Sequence, residues 1–310
     1  MPLATIVLNQ ILIMFVIILI GYICYKFKLI NQETNKKLSD LLLTLITPLL
    51  IFNSYQREFS KELLIGLLIS LILAIATHVF GIVTAYVFLR GKKNPDVIIE
   101  RFSTIYCNSG FIGLPIINGI YGSEGVFYIT AYMTVFNLFV WTQGLIMMNG
   151  VQSRKTMIKI FISPTLISVF IGFIFFISQI RIPTILFKSL DYIAGMNTPL
   201  AMLIAGVTIA QTNILRIFLK PRIYLVLFLK LIFIPIILML LYSRYPIGVP
   251  VLAAAVLAAA CPTGATGTLF AIRYNKNALY SSEIFAMTTL VSLITIPIIM
   301  SLVDYLDYLK

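Results

Sequence analysis

Asn108-Ser109-Gly110-Phe111-Ile112-Gly113-Leu114-Pro115 interrupts a hydrophobic segment near its middle, and Cys261-Pro262-Thr263-Gly264-Ala265-Thr266-Gly267-Thr268 does the same in the second half of the chain. Each interrupted segment is long enough to cross a bilayer, which takes about 20 apolar residues. Glycine and proline at this density open the helical ladder, and backbone polar groups freed at membrane depth find no water. Such breaks persist where they line a cavity and bind something. A matched pair, one in each half, points to a transporter.

The rest of the chain supplies the membrane setting. Its 310 residues are 60% hydrophobic and 11% charged, against about 25% charged in soluble domains; the mean hydropathy is +1.02. Ten apolar spans are predicted, at 5–25, 38–55, 62–89, 101–120, 127–149, 158–180, 191–211, 222–243, 248–273 and 281–304. The polar gaps between them are short, about a dozen residues or fewer. The expected fold class is therefore an all-α integral membrane protein, with one membrane domain filling the chain. The first apolar run is longer than a signal-peptide core and lacks a basic flank, so it reads as the first span.

The net charge of +12 is spread over short loops, which argues for membrane topology and against a nucleic-acid partner. Sixteen of the lysines and arginines fall in the odd-numbered loops and six in the even loops and termini. This bias predicts a multi-pass protein of the cell (inner) membrane with both termini on the extracytoplasmic side. Cys24, Cys107 and Cys261 are far apart and lack metal-type spacing, so free thiols are expected, with no metal and no cofactor.

The two halves read as one unit repeated, 1–150 and 151–310. Thr47-Pro48-Leu49 recurs as Thr198-Pro199-Leu200, Tyr121 recurs as Tyr274, and a similar offset pairs His78 with Lys230. Five spans per half is an odd number, so the copies would be inverted, with breaks in corresponding helices 4 and 9. At the first break, Pro115 suits a first helical turn, and Gly110 and Gly113 permit unwound backbone and close approach. Asn108 and Ser109 add side-chain hydrogen bonds. Pro262, Gly264 and Gly267 form the second break, with Thr263, Thr266 and Thr268 as hydroxyl donors. Two helix N-termini converging at mid-membrane suit an anion, a carboxylate above all.

Ionisable groups inside the spans are few. Asp40, Asp191, Glu283 and Asp304 lie near span ends and Glu124 in an outer loop, so no embedded carboxylate is expected to carry protons. His78 and Lys230 are deep, and intramembrane ionisable groups are functional candidates. His78, of a residue type that titrates near physiological pH, is assigned proton coupling or an interhelical hydrogen bond. Lys230 is assigned charge compensation of an anion, or snorkelling toward the cytoplasmic surface. Asn53 is a candidate cavity-lining residue. Asn137, Trp141 and Gly144 share a helical face; Asn137 reads as cavity lining or, with Gln143, as interhelical glue.

With these residues in view, the chain resembles the auxin efflux carrier family over essentially its whole length. The likeness rests on Asn108 to Pro115, on Thr47-Pro48-Leu49-Leu50, on the second break followed by Leu269-Phe270-Ala271, on Lys230 with Pro235, and on Phe136 to Gln143. The resemblance implies crossing broken helices 4 and 9, a scaffold and a mobile transport unit moving as an elevator, and a homodimer. Plant members export indole-3-acetate and carry a long central loop. Here the loop between spans 5 and 6 is only about ten residues. Plant members carry an acidic residue in span 3 where this chain offers His78, a departure that bears on coupling. Bacterial members are associated with malate and other organic acids.

The expected function is a secondary transporter of small organic anions. A sodium-coupled symporter of the bile-acid type is the alternative. An intramembrane enzyme lacks its parts: one histidine, no embedded acid and no nucleophile elbow. A channel has no need of two matched anion-type breaks, and a sensor would add a soluble output domain.

Overall fold

The computed structural model describes residues 3–91, 94–150, 164–211 and 220–308. The expected loop between spans 5 and 6 and the first residues of span 6, with Arg154, Lys155 and Lys159, lie outside them. So do Lys92, Lys93, Arg216 and Lys310. Among the described residues every regular element is a helix: α1 (Leu3–Lys26), α2 (Gln32–Ser54), α3 (Lys61–Phe88), α4 (Val97–Ile105), α5 (Ser109–Asn149), α6 (Pro164–Ser178), α7 (Thr184–Ala210), α8 (Pro221–Tyr242), α9 (Val249–Ala260), α10 (Thr266–Arg273) and α11 (Ala278–Tyr308). Seven of these, α1, α2, α3, α5, α7, α8 and α11, are long and apolar enough to cross a membrane; α6 and α9 are apolar but shorter.

Several boundaries depart from the sequence expectation. Span 4, expected at 101–120, begins at Val97 and stops at Ile105; Tyr106 is extended, and helix resumes at Ser109. The break proper is thus Tyr106 to Asn108, ahead of the glycines that flag it. Gly110 and Gly113 lie inside the turn that follows. No loop separates 120 from 127: α5 runs on to Asn149 and is bent at Gly122, whose φ of 57° is open to glycine without a Cβ penalty. Span 7, expected at 191–211, starts at Thr184, because Ile185, Leu186 and Phe187 extend the apolar run past Lys188 and Asp191.

Four π-helical turns interrupt α2, α5 and α8: Leu42–Ile46, Ser109–Gly113, Val140–Gly144 and Leu229–Phe233. Three have one sequence cause. Pro48, Pro115 and Pro235 each stand two residues beyond the end of a π turn. Proline lacks the N–H that would bond the carbonyl four residues back, and its ring pushes that carbonyl aside. The carbonyls concerned, of Thr44, Phe111 and Leu231, sit within the widened turns, and such bulges concentrate at functional sites. Lys230 lies inside the third of these turns.

The helices pack as two groups. One comprises α1, α2, α6 and α7, and the other α3, α4, α5, α8, α9, α10 and α11. In the first, α1 and α7 approach to backbone contact: a Cβ on Gly206 would sit 2.0 Å from the carbonyl oxygen of Ile18, and one on Gly21 2.3 Å from that of Leu203. Small residues at such crossings let dispersion contacts hold helices together where lipid offers no hydrophobic drive. Asn197 Nδ2 donates to Thr47 Oγ1 (2.8 Å), joining the two Thr-Pro-Leu segments. Across the groups, Tyr55 Oη lies 2.7 Å from Thr130 Oγ1, and Arg57 Nη2 donates to Ser123 Oγ (2.8 Å). An apolar groove of about 500 Å³ also runs between them, lined by Leu67, Leu71, Leu138, Val169, Phe170 and Phe173 among others.

A candidate anion site where two helix breaks pair

The two breaks meet backbone to backbone. Cys107 and Thr263 form an antiparallel β-bridge, in which Asn108 N donates to Pro262 O (2.7 Å) and Gly264 N donates to Tyr106 O (3.0 Å). Breaking each helix freed polar groups, and each break satisfies the other's, which is how irregular backbone is tolerated away from water. The fit is close: a Cβ on Gly264 would lie 2.9 Å from Cys107 O, and one on Gly113 3.1 Å from Cys261 Sγ. Thr263 is fixed further, its Oγ1 donating to Ser103 O (2.9 Å) and its N–H to Thr288 Oγ1 (3.2 Å) on α11.

The predicted site residues divide into two sets. Thr263 and Thr268 spend their hydroxyls on the fold, Thr268 Oγ1 donating to Ser281 Oγ (3.2 Å), so both hydroxyl protons are already committed. Asn108, Ser109, Pro115, Pro262, Gly264 and Gly267 are buried at or beside the bridge, while Gly110 and Thr266 are half-buried. Ser109 opens the π turn, whose first N–H groups have no carbonyl of their own helix to reach; at the start of α10 the N–H groups of Gly267 and Thr268 already donate to Gly264 O and Ala265 O (3.1 Å each).

His78 and Lys230 flank the bridge. Lys230 is 1% exposed, which removes the snorkelling alternative, and it lies near Cys107, Cys261 and His78. The ion pairs among the described residues are Lys37–Glu33, Lys220–Glu283 and Arg222–Glu100, so Lys230 has no acidic partner there. His78 stands in a ring of aromatics, with Tyr132 and Phe139 at centroid distances of 5.0 and 5.1 Å and Tyr106 and Phe136 at 6.3 Å. Its Nδ1 lies 2.8 Å from Ala74 O, on its own helix, and its Nε2 has no protein partner. The interhelical hydrogen bond expected of a structural histidine is therefore absent among the described residues. Cys24, Cys107 and Cys261 are free thiols, as expected, and the last two are buried at the bridge.

The other polar candidates fare differently. Asn53 is buried with neither side-chain nitrogen nor oxygen bonded to protein. Asn137 does not glue helices together: its Nδ2 donates to Met133 O (2.8 Å) one turn back. Gln143 does, accepting from Tyr106 Oη (2.5 Å). Trp141 packs edge-on against Phe270 at 5.1 Å. The π turn at Val140–Gly144 lies between Asn137 and Gly144, yet Trp141 and Gly144 still meet one aromatic cluster, Trp141 at Phe270 and Gly144 at Phe102 and Tyr106.

One buried acid was missed. Glu100, 0% exposed, lies inside α4, contrary to the expectation that no acid is embedded. It accepts from Arg222 Nε and Nη2 (2.6 and 2.5 Å), Tyr280 Oη (3.1 Å) and Asn94 Nδ2 (3.1 Å). The first turn of a helix is favourable ground for a carboxylate. Starting span 4 at Val97 would have enclosed it.

Comparison with known proteins gives the family. A family described as a membrane transport protein matches residues 6–300. An uncharacterized transporter of Methanothermobacter thermautotrophicus is 28% identical over 206 residues, covering 65% of this chain and 67% of its own. The uncharacterized transporter YfdV of Escherichia coli is 23% identical over 308 residues, covering 95% and 96%. With the match spanning nearly every residue and both breaks, the chain belongs to the auxin efflux carrier family of membrane transport proteins.

Proposed function

We propose that this protein is a secondary active transporter of small organic anions, malate-like or auxin-like carboxylates, which bind where the two helix breaks pair. The observation that carries this is Lys230: a buried side-chain amine near the bridge, where α5 begins with unpaired N–H groups, with no protein carboxylate among the described residues to pair with it. An uncompensated charge in a low-dielectric setting is costly, and a bound carboxylate removes that cost. Asn108, Ser109 and Gly110 at one break, and Pro262, Gly264, Thr266 and Gly267 at the other, frame the anion. His78, with Nε2 free, couples binding to a proton.

On this reading the chain crosses the membrane ten times as two inverted five-helix units. Both termini are extracytoplasmic in the cell membrane, and the protein works as a homodimer. α5, at 41 residues and bent at Gly122, would cross twice. The two packing groups supply a scaffold and a transport unit for an elevator motion, with the apolar groove along the seam. A sodium-coupled symporter of organic anions is the second reading, favoured by the buried hydroxyls of Ser103 and Thr289, which have no protein partner.

The deciding experiment is a thermal-stability screen of purified protein in detergent against mono- and dicarboxylates, amino acids and neutral solutes, with and without sodium, at two pH values. A ligand at a hundredfold excess over Kd stabilises by about 2.7 kcal/mol. Stabilisation by a carboxylate that is lost in Asn108→Ala and Pro262→Ala but kept in the exposed Lys36→Ala supports the site; a strict sodium requirement selects the second reading. Equal responses in all three variants would sink it.

A further inference from the structure

Glu100 is the most completely buried acid among the described residues, and its partners come from three separate elements. It sits on α4. Arg222, which grips it with two hydrogen bonds, opens α8, and Tyr280 opens α11. A second pair reinforces the same plate: Lys220 bonds Glu283 and its ammonium lies 5.3 Å from the Tyr280 ring centroid. Asn277, just ahead of α11, donates to Asp96 Oδ2 (3.2 Å), just ahead of α4.

Counting inward from this hub gives one number three times. Eight residues beyond Glu100 is Asn108, in the first break. Eight beyond Arg222 is Lys230. Eight beyond Tyr280 is Thr288, which receives the N–H of Thr263 in the second break. Along α8 and α11 eight residues rise about 12 Å; the first path runs through five helical residues and then the unwound Tyr106 to Asn108.

We infer that Glu100 is a positioning residue that sets the axial register of α4, α8 and α11, so that Asn108, Lys230 and Thr288 arrive at the same depth. A slide of any one helix would carry its residue away from the other two. The functional consequence rests on the anion-site reading above; the register itself does not. The bridge ties Cys261 to Cys107, and Thr263 ties it to Thr288 on α11, so both buried thiols lie within reach of the hub. Cys24, on α1, has no bond to the hub among the described residues and reports separately.

The test uses full-length proteins retaining a single native thiol, Cys107 or Cys24, with the other cysteines changed to serine, labelled by a small maleimide in detergent and in liposomes. Glu100→Gln keeps the shape and removes the charge. Tyr280→Phe removes one hydroxyl and serves if Glu100→Gln does not accumulate. Either is expected to raise the labelling rate of Cys107 about tenfold while leaving Cys24 within twofold, and to raise KM for the stabilising carboxylate more than it lowers turnover. An unchanged Cys107 rate overturns the assignment, as does a parallel rise at both thiols, which reports general loosening. If no carboxylate binds the wild-type protein, the transport reading falls while the labelling result still decides the register.

Discussion

Gly264→Ala concentrates its effect at the pairing of the two breaks. The added methyl would lie 2.9 Å from Cys107 O and 3.4 Å from Cys107 C. Both are backbone atoms, so no side chain can turn aside, and the segments must separate. Separation strains two buried hydrogen bonds, Asn108 N to Pro262 O and Gly264 N to Tyr106 O. Each buried polar group left unmade costs about 1–3 kcal/mol, so the loss is roughly 2–6 kcal/mol. At about 2 °C per kcal/mol, the low end for larger chains, melting falls by roughly 4–12 °C. The matched control is Gly195→Ala, where a Cβ meets nothing within 4 Å and alanine improves helix propensity by up to about 1 kcal/mol. Both variants are measured by thermal unfolding in detergent, followed by tryptophan fluorescence from Trp141. A Gly264→Ala protein as stable as Gly195→Ala would refute the claim that the breaks are held in register by direct backbone pairing.

Lys230→Met should remove carboxylate-induced stabilisation and leave the unliganded protein as stable as wild type or more so, because a buried unpaired charge is exchanged for an apolar chain of similar size; persistence of the ligand shift rules out Lys230 as the anion's counter-charge. His78→Ala should flatten the pH dependence of transport in proteoliposomes while changing ligand affinity little, and an unaltered pH profile returns His78 to a packing role. Arg222→Gln leaves Glu100 buried without its cation and should cost about 3–5 kcal/mol, read as a fall in melting temperature. Lys37→Gln, at an exposed pair, should change nothing measurable.

The two breaks were legible because glycine and proline have few uses at membrane depth, and their occurrence at matched places in the two halves adds to that signal. Lys230 and His78 were legible for a related reason: charge inside an apolar span is costly and therefore conspicuous. Register was not legible. That Cys107 faces Thr263, and not a neighbour, depends on backbone geometry that no local pattern encodes. The π turns hid a second layer, since a helical wheel assumes a regular helix and α5 departs from one between Asn137 and Gly144. Glu100 escaped because charges were taken to mark span ends; here a full set of partners lets a carboxylate sit inside the helix it seemed to precede. The committed hydroxyls of Thr263 and Thr268 are the opposite case, residues of the right type whose protons the fold had already claimed.

The pairing of the breaks also has a mechanical side. An interrupted helix is ordinarily a hinge, since its two halves can pivot about the unwound residues. Here each hinge is fastened to the other by two hydrogen bonds, and Thr263 is pinned again to Ser103 and Thr288. Two joints riveted together no longer bend. The centre of the protein is then its stiffest part despite being its least regular. Compliance has to be sought elsewhere, along the greasy seam between α3 and α5 on one side and α2 and α6 on the other, where the contacts across a 500 Å³ groove are largely apolar and a slip would break only the polar contacts of Tyr55 with Thr130 and of Arg57 with Ser123.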